Sequence, residues 1–121
     1  MATIRALLVV AVLLPACAAQ PDPVTGPPIA RIIEAARADA AQRSGLPAAQ
    51  LAVVSAQSVT WSDGGLGCPR KGIQYTQALV PGYRVKLQVG GEVWDYHAGE
   101  RGGVLLCPPG QSQEPGPGRR N

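Results

Sequence analysis

The stretch Tyr83-Arg84-Val85-Lys86-Leu87-Gln88-Val89-Gly90-Gly91-Glu92-Val93-Trp94-Asp95-Tyr96-His97 decides the fold. Tyr83, Val85, Leu87 and Val89 alternate with Arg84, Lys86 and Gln88, which is the two-residue period of a strand with one buried and one wet face. Gly90-Gly91 supplies a tight hairpin turn, because glycine reaches the positive φ values such turns need without a steric penalty. Glu92 to His97 then returns as an antiparallel neighbour.

Outward from this hairpin, Pro81-Gly82 marks a turn, and Tyr75 to Val80 reads as a further candidate strand. Leu51 to Trp61 is strand-like as well: Leu51, Val53, Val59 and Trp61 share one parity, interrupted by Ser55 and Gln57. Val104 to Cys107 is a short last strand. Upstream, Ile29, Ile32, Ile33, Ala36 and Ala40 recur at the three-and-four spacing of one helical face. Pro27 or Pro28 suits the first turn, Thr25 or Gly26 a cap, and Ser44-Gly45 the end. Leu46 to Gln50 is a short turn into the sheet. The expectation is an α+β domain: one N-terminal helix packed on an antiparallel meander of four or five strands, its isoleucine stripe against Val85 and Leu87.

The chain has 121 residues and a formal net charge of +3, which falls by one if Arg5 is removed with a leader. Its basic residues are scattered rather than clustered with aromatics, so nucleic acid is not an expected partner. Residues 108–121 are mostly Pro, Gly, Gln and charge, and read as a disordered tail. Residues 18–28 are proline-rich without apolar period, and read as a tether. The domain between them spans 29–107, about 80 residues, a size at which an apolar core is marginal and a covalent staple helps.

Residues 1–16 carry one positive charge, Arg5, followed by an apolar run from Ala6 to Leu14. That run is too short to span a bilayer and fits a secretory signal peptide. It ends in Leu14-Pro15-Ala16-Cys17, which resembles the bacterial lipobox. The resemblance implies that Cys17 is lipidated and becomes the first residue of a membrane-anchored lipoprotein. Two or more acyl chains give stable anchoring, whereas one is marginal. In bacteria with two membranes, Asp after the lipidated cysteine commonly retains a lipoprotein in the inner membrane. Ala18 stands there, which implies the outer membrane, facing the periplasm. The alternative leader is an ordinary one, cut at Ala16-Cys17-Ala18.

Export places Cys68 and Cys107 in an oxidising compartment, where two cysteines of a small domain usually pair. Closing a loop of about 40 residues contributes roughly 3–4 kcal/mol in the chain-entropy picture. Neither a Cys-x-x-Cys pair nor a second histidine accompanies them, so no metal and no cofactor are expected.

Trp61-Ser62-Asp63-Gly64-Gly65-Leu66-Gly67-Cys68-Pro69 is the most distinctive stretch. With Tyr75, Gln77, Pro81 to Tyr83, Tyr96, His97 and Cys107 it resembles a pattern of small exported bacterial proteins of unknown function. The resemblance spans about half the chain and implies no activity. Trp61, Asp63, Tyr75, Tyr96 and His97 are the candidates for a binding site. Against that stand plainer roles: the tryptophans as packing, His97 as a strand-end hydrogen-bonding group, and Asp63 as a turn residue bonded to its own backbone. Ser62, His97 and Asp63 or Asp95 make a hydrolase trio on paper only, since Ser62 lacks a nucleophile-elbow setting. The expected function is a non-catalytic envelope module anchored through Cys17, with a protein, a peptide or peptidoglycan as its partner. The alternatives are an inhibitor of an envelope enzyme and a small hydrolase. A flat surface with those residues packed favours the module, an exposed, rigid Asp63–Pro69 loop the inhibitor, and a concave pocket joining Asp63, Tyr96 and His97 the hydrolase.

Overall fold

The computed structural model describes residues 28–116 and the isolated Ala11. The leader, Cys17, the tether with its candidate caps, and residues 117–121 lie outside the described residues. Helix α1 spans Pro28–Ser44, followed by a short 3-10 turn, Ala48–Gln50. Strands β1 (Ala52–Trp61), β2 (Val80–Val89), β3 (Glu92–Gly99) and β4 (Leu105–Cys107) form one antiparallel sheet in the order β1-β2-β3-β4. Among the described residues the architecture is therefore α+β, with one helix and four strands.

α1 carries proline in its first turn, where a missing N–H costs nothing. It ends where Gly45, at φ 74°, donates its N–H to the Ala41 carbonyl at 2.9 Å. The left-handed conformation there is the ordinary glycine C-cap. Ala36 and Ala40 are fully buried, and Ile32 and Ile33 flank them against the same core. Small side chains at the centre of the contact bring the helix close to the sheet, where it covers Val85, Leu87, Val89 and Tyr96. Two polar ties fix its position: Arg37 Nε donates to the Leu51 carbonyl at 3.2 Å, and the Tyr96 hydroxyl donates to Asp39 at 2.8 Å.

The β2–β3 hairpin has the register its two-glycine turn dictates, with Val89 opposite Glu92, Leu87 opposite Trp94 and Val85 opposite Tyr96. Gly90 sits at φ 59°. β1 departs from a simple alternation. A bulge between Val53 and Ser55 puts one extra residue against β2. Val53 opposes Leu87 and Ala56 opposes Val85, so both face the helix. Val59 and Trp61, which share Val53's parity in sequence, are turned to the other face. The interruption at Ser55 and Gln57 is the trace of that bulge.

Three expectations are corrected here. Pro81-Gly82 is not a turn, since both residues lie within β2, opposite Thr60 and Val59 of β1. Tyr75 to Leu79 is not a strand; only Val80 joins β2, and the segment is an exposed loop tied by the Gly64 N–H to the Thr76 carbonyl at 2.9 Å. Its large apolar residue Leu79 is 67% exposed, so no burial drives the segment into a sheet. The stretch after Cys107, expected as a disordered tail from 108, instead returns over the sheet as far as Gly116. Its bonds are polar and non-local, and nothing in a Pro, Gly and Gln composition announces them.

Candidate functional site

Trp61 closes β1 on the face opposite the helix, and it is fully buried. Its indole stacks on the His97 ring, with centroids 4.4 Å apart and an interplanar angle of 21°. The indole N–H donates to the Ala98 carbonyl at 2.9 Å, which satisfies its one polar group. Two glycines make room for the ring. A Cβ on Gly67 would collide with the indole's six-membered ring, and one on Gly82 with the Ala98 carbonyl and the indole nitrogen. Gly67 also holds φ 69°, beside Leu66 at φ 54°. A leucine in that region is strained by roughly 1–2 kcal/mol. Its carbonyl accepts a hydrogen bond from His97 Nδ1 at 2.6 Å, which helps to fix the loop.

His97 is fully buried, and its Nε2 faces Ser112 Oγ at 3.1 Å and Asp95 Oδ1 at 3.2 Å. Asp95 is held from three sides. Arg84 meets it in a two-pronged pair, Nε to Oδ1 at 3.1 Å and Nη2 to Oδ2 at 2.8 Å, and the Ser112 hydroxyl donates to Oδ2 at 2.7 Å. Arg84 also donates to Ser112 at 3.0 Å and to Glu114 at 2.8 Å. Burial works to raise the Asp95 pKa, but hydrogen bonds from His97, Arg84 and Ser112 outweigh it and hold the carboxyl well below the usual carboxylate range. The Arg84 guanidinium is pushed above its ordinary value, chiefly by its bonds to Asp95. Every buried side-chain polar atom among the described residues has a partner.

A strap, residues 111–116, covers this cluster. Besides Ser112 and Glu114, the Gln113 N–H donates to the Gly67 carbonyl at 2.7 Å and the Gly116 N–H to the Thr60 carbonyl at 3.1 Å. The Cys68–Cys107 disulfide, with Cα atoms 5.7 Å apart, joins the glycine-rich loop to the end of β4. Beside the strap lies an open groove of about 740 Å³, where Pro108 and Pro109 turn the chain away and leave Val93 and Trp94 of β3 without β4 alongside. Asp95 and Ser112 reach its wall.

The five candidate site residues are not gathered at one place. Trp61 and His97 stack on the strap-covered face. Tyr96 points to the helix face, as the neighbour of His97 on a strand must. Burial and its bond to Asp39 raise its hydroxyl's pKa above the ordinary tyrosine value. Asp63 accepts the Gly65 N–H at 2.8 Å within its own turn. Tyr75 lies in the exposed loop, where its hydroxyl accepts the Arg70 N–H at 3.0 Å. Arg84, Ser112 and Glu114, none of them a candidate from the sequence, complete the cluster together with Asp95, which the sequence offers as a possible acid. Arg84 and Asp95 had a usable signal: the two-glycine turn sets Arg84 opposite His97 and Lys86 opposite Asp95, which puts Arg84, Asp95 and His97 on one face.

A family model described as Domain of unknown function (DUF8738) matches residues 33–107. The chain belongs to that family. The DUF8738 region begins inside α1 and ends on the disulfide's second cysteine, so it contains Trp61, Arg84, Asp95 and His97, while Ser112 and Glu114 lie beyond it. No curated protein and no solved structure matches the chain.

Proposed function

We propose that this DUF8738 chain is a cell-envelope lipoprotein, anchored through acylated Cys17, whose small domain binds a partner without catalysing a reaction. The partner is an envelope protein, a peptide or peptidoglycan. One observation carries the non-catalytic part: the wiring of His97. A serine nucleophile needs the imidazole between itself and an orienting carboxylate, one on each ring nitrogen. Here Ser112 and Asp95 both sit at Nε2, Nδ1 is engaged by a backbone carbonyl, and the serine hydroxyl donates to the carboxylate. No residue of the Asp63–Pro69 loop is exposed, and Gly65 and Cys68 within it are buried. That supports a plain module over an inhibitory loop. Anchoring rests on the leader and lipobox pattern.

Two measurements test this reading. Cys17→Ser should abolish labelling by a palmitate analogue and release the chain from the membrane fraction or leave it unprocessed; a variant that keeps both label and membrane association refutes the anchor. Crosslinking the wild-type chain in intact envelopes should recover a discrete partner. Turnover of ester, amide or glycoside substrates that disappears in Ser112→Ala would refute the non-catalytic reading.

A further inference from the structure

Of the residues that fill the strap-covered face, four belong to the DUF8738 region and two do not. Arg84, Asp95, His97 and Trp61 are fixed by the sheet. Ser112 and Glu114 come from a segment without regular secondary structure. That segment, Gln111-Ser112-Gln113-Glu114-Pro115-Gly116, has no large apolar side chain. Its hold is polar throughout: a hydroxyl inserted among Asp95, His97 and Arg84, a carboxylate on Arg84, and two backbone N–H groups on the Gly67 and Thr60 carbonyls. The Glu114 side chain is 81% exposed, so its pair with Arg84 is open to water and to competitors. A segment held this way opens locally at far less cost than the core. Its departure would bare a guanidinium, a carboxylate, an imidazole and two backbone carbonyls, all positioned by rigid elements.

We propose that this face is a peptide-binding site and that residues 112–116 occupy it as an intramolecular ligand. This rests on reading the domain as a binding module, and it names the partner class. The ligand is an extended peptide segment with a serine or threonine two residues before a glutamate or aspartate. The hydroxyl enters among Asp95, His97 and Arg84, the acid pairs with Arg84, and the intervening backbone N–H meets the Gly67 carbonyl. A partner carrying such a segment binds by displacing the strap. The adjoining groove, whose wall includes Asp95 and Ser112, gives the incoming chain a path along β3.

The test uses a fluorescent peptide of sequence Gln-Ser-Gln-Glu-Pro-Gly, titrated into the full chain in detergent and read by anisotropy. A tethered strap competes at an effective concentration of about millimolar order, so titrations must reach that range. The Ser112→Ala/Glu114→Gln double variant should bind the peptide about tenfold or more tightly than wild type, because two bonds to charged groups no longer hold the strap. Glu114→Gln alone, a change at an exposed side chain that leaves folding intact, should lie between them. A control peptide with Ala for Ser and Gln for Glu should lose about tenfold. Equal binding by all three proteins overturns the proposal, as does no binding to either variant when the Trp61 indole resonance is unchanged. A crosslinked partner mapped wholly outside the strap-covered face would overturn this inference and leave the module reading standing; failure to recover any partner would count against the module itself.

Discussion

On one face of the sheet Val85, Leu87 and Tyr96 lie under Ala36 and Ala40; on the other, Trp61 and His97 lie under glycine backbone, a disulfide and a polar strap. The helix side is closed by apolar area, whose contribution scales with surface removed from water and tolerates exchanges of similar volume. The strap side is closed by directed bonds, among them a paired arginine and aspartate whose side chains are only 10% and 16% exposed. Such a cluster contributes little net stability when complete, and destabilises sharply when one member is lost. The difference teaches where change is tolerated. The helix face supports the fold, and the strap face has the means to exchange one polar partner for another.

The largest expected effect separates the faces by a covalent bond that touches only one of them. Replacing Cys68 and Cys107 by alanine should cost about 3–4 kcal/mol, read from denaturant midpoints at constant slope. Near-ultraviolet signals should report the Trp61 face loosening before the helix signal is lost. A cost below about 1 kcal/mol would mean that the strap-covered face holds without its staple.

Next in size is Asp95→Asn, which leaves Arg84 facing a neutral amide and should cost about 2 kcal/mol. The same carboxylate sets a pH dependence. Its folded-state pKa lies below its unfolded value, so the unfolded chain binds more protons as pH falls past about 4. Stability from Asp95 is therefore complete above that pH and declines below it, toward the folded-state value. Wild type should lose more stability between pH 5 and pH 2 than Asp95→Asn does. Parallel curves for the two proteins would remove Asp95 from the account.

A smaller effect concerns the loop. Asp63→Ala removes the acceptor of the Gly65 N–H and should cost about 1 kcal/mol, a few degrees in the thermal midpoint. Asp63→Asn keeps an acceptor oxygen and should cost less. If Asp63→Asn instead leaves the midpoint unchanged and abolishes partner capture, the loop is the recognition element and the strap-covered face is not.

Most of the helix face was legible in the sequence. The alternation from Tyr83 to Val89, the glycine pair and the isoleucine-alanine stripe each encode local geometry. They fix the hairpin register and the helix face without reference to distant residues. The Asx-type turn at Asp63 was legible for the same reason, and the pairing of Cys68 with Cys107 followed from the expectation of export, which leaves these two cysteines to each other. The second face was not. Arg84 alternates with apolar residues and so reads as solvated, yet it is 8% exposed, because its cover comes from residue 112 onward. Ser112 and Glu114 sit in a segment of tail-like composition, and their contacts bridge 15 to 30 residues. The bulge in β1 was visible only as a broken pattern. The candidate list failed on a simpler point. Tyr96 and His97 are consecutive on one strand, so no single pocket takes both side chains.

Native-state hydrogen exchange, followed amide by amide, tests the central claim most directly: that one face is a core and the other a site under a separable strap. The account predicts that the Gln113 and Gly116 amides exchange through a local opening, with protection at least about tenfold, or about 1.4 kcal/mol, below that of the β2 amides paired with β3. The Trp61 indole N–H should remain protected at the level of the sheet, since its acceptor is the Ala98 carbonyl. If Gln113 and Gly116 share the protection of β2 and exchange only on global unfolding, the strap is an integral part of the core and the claim is contradicted.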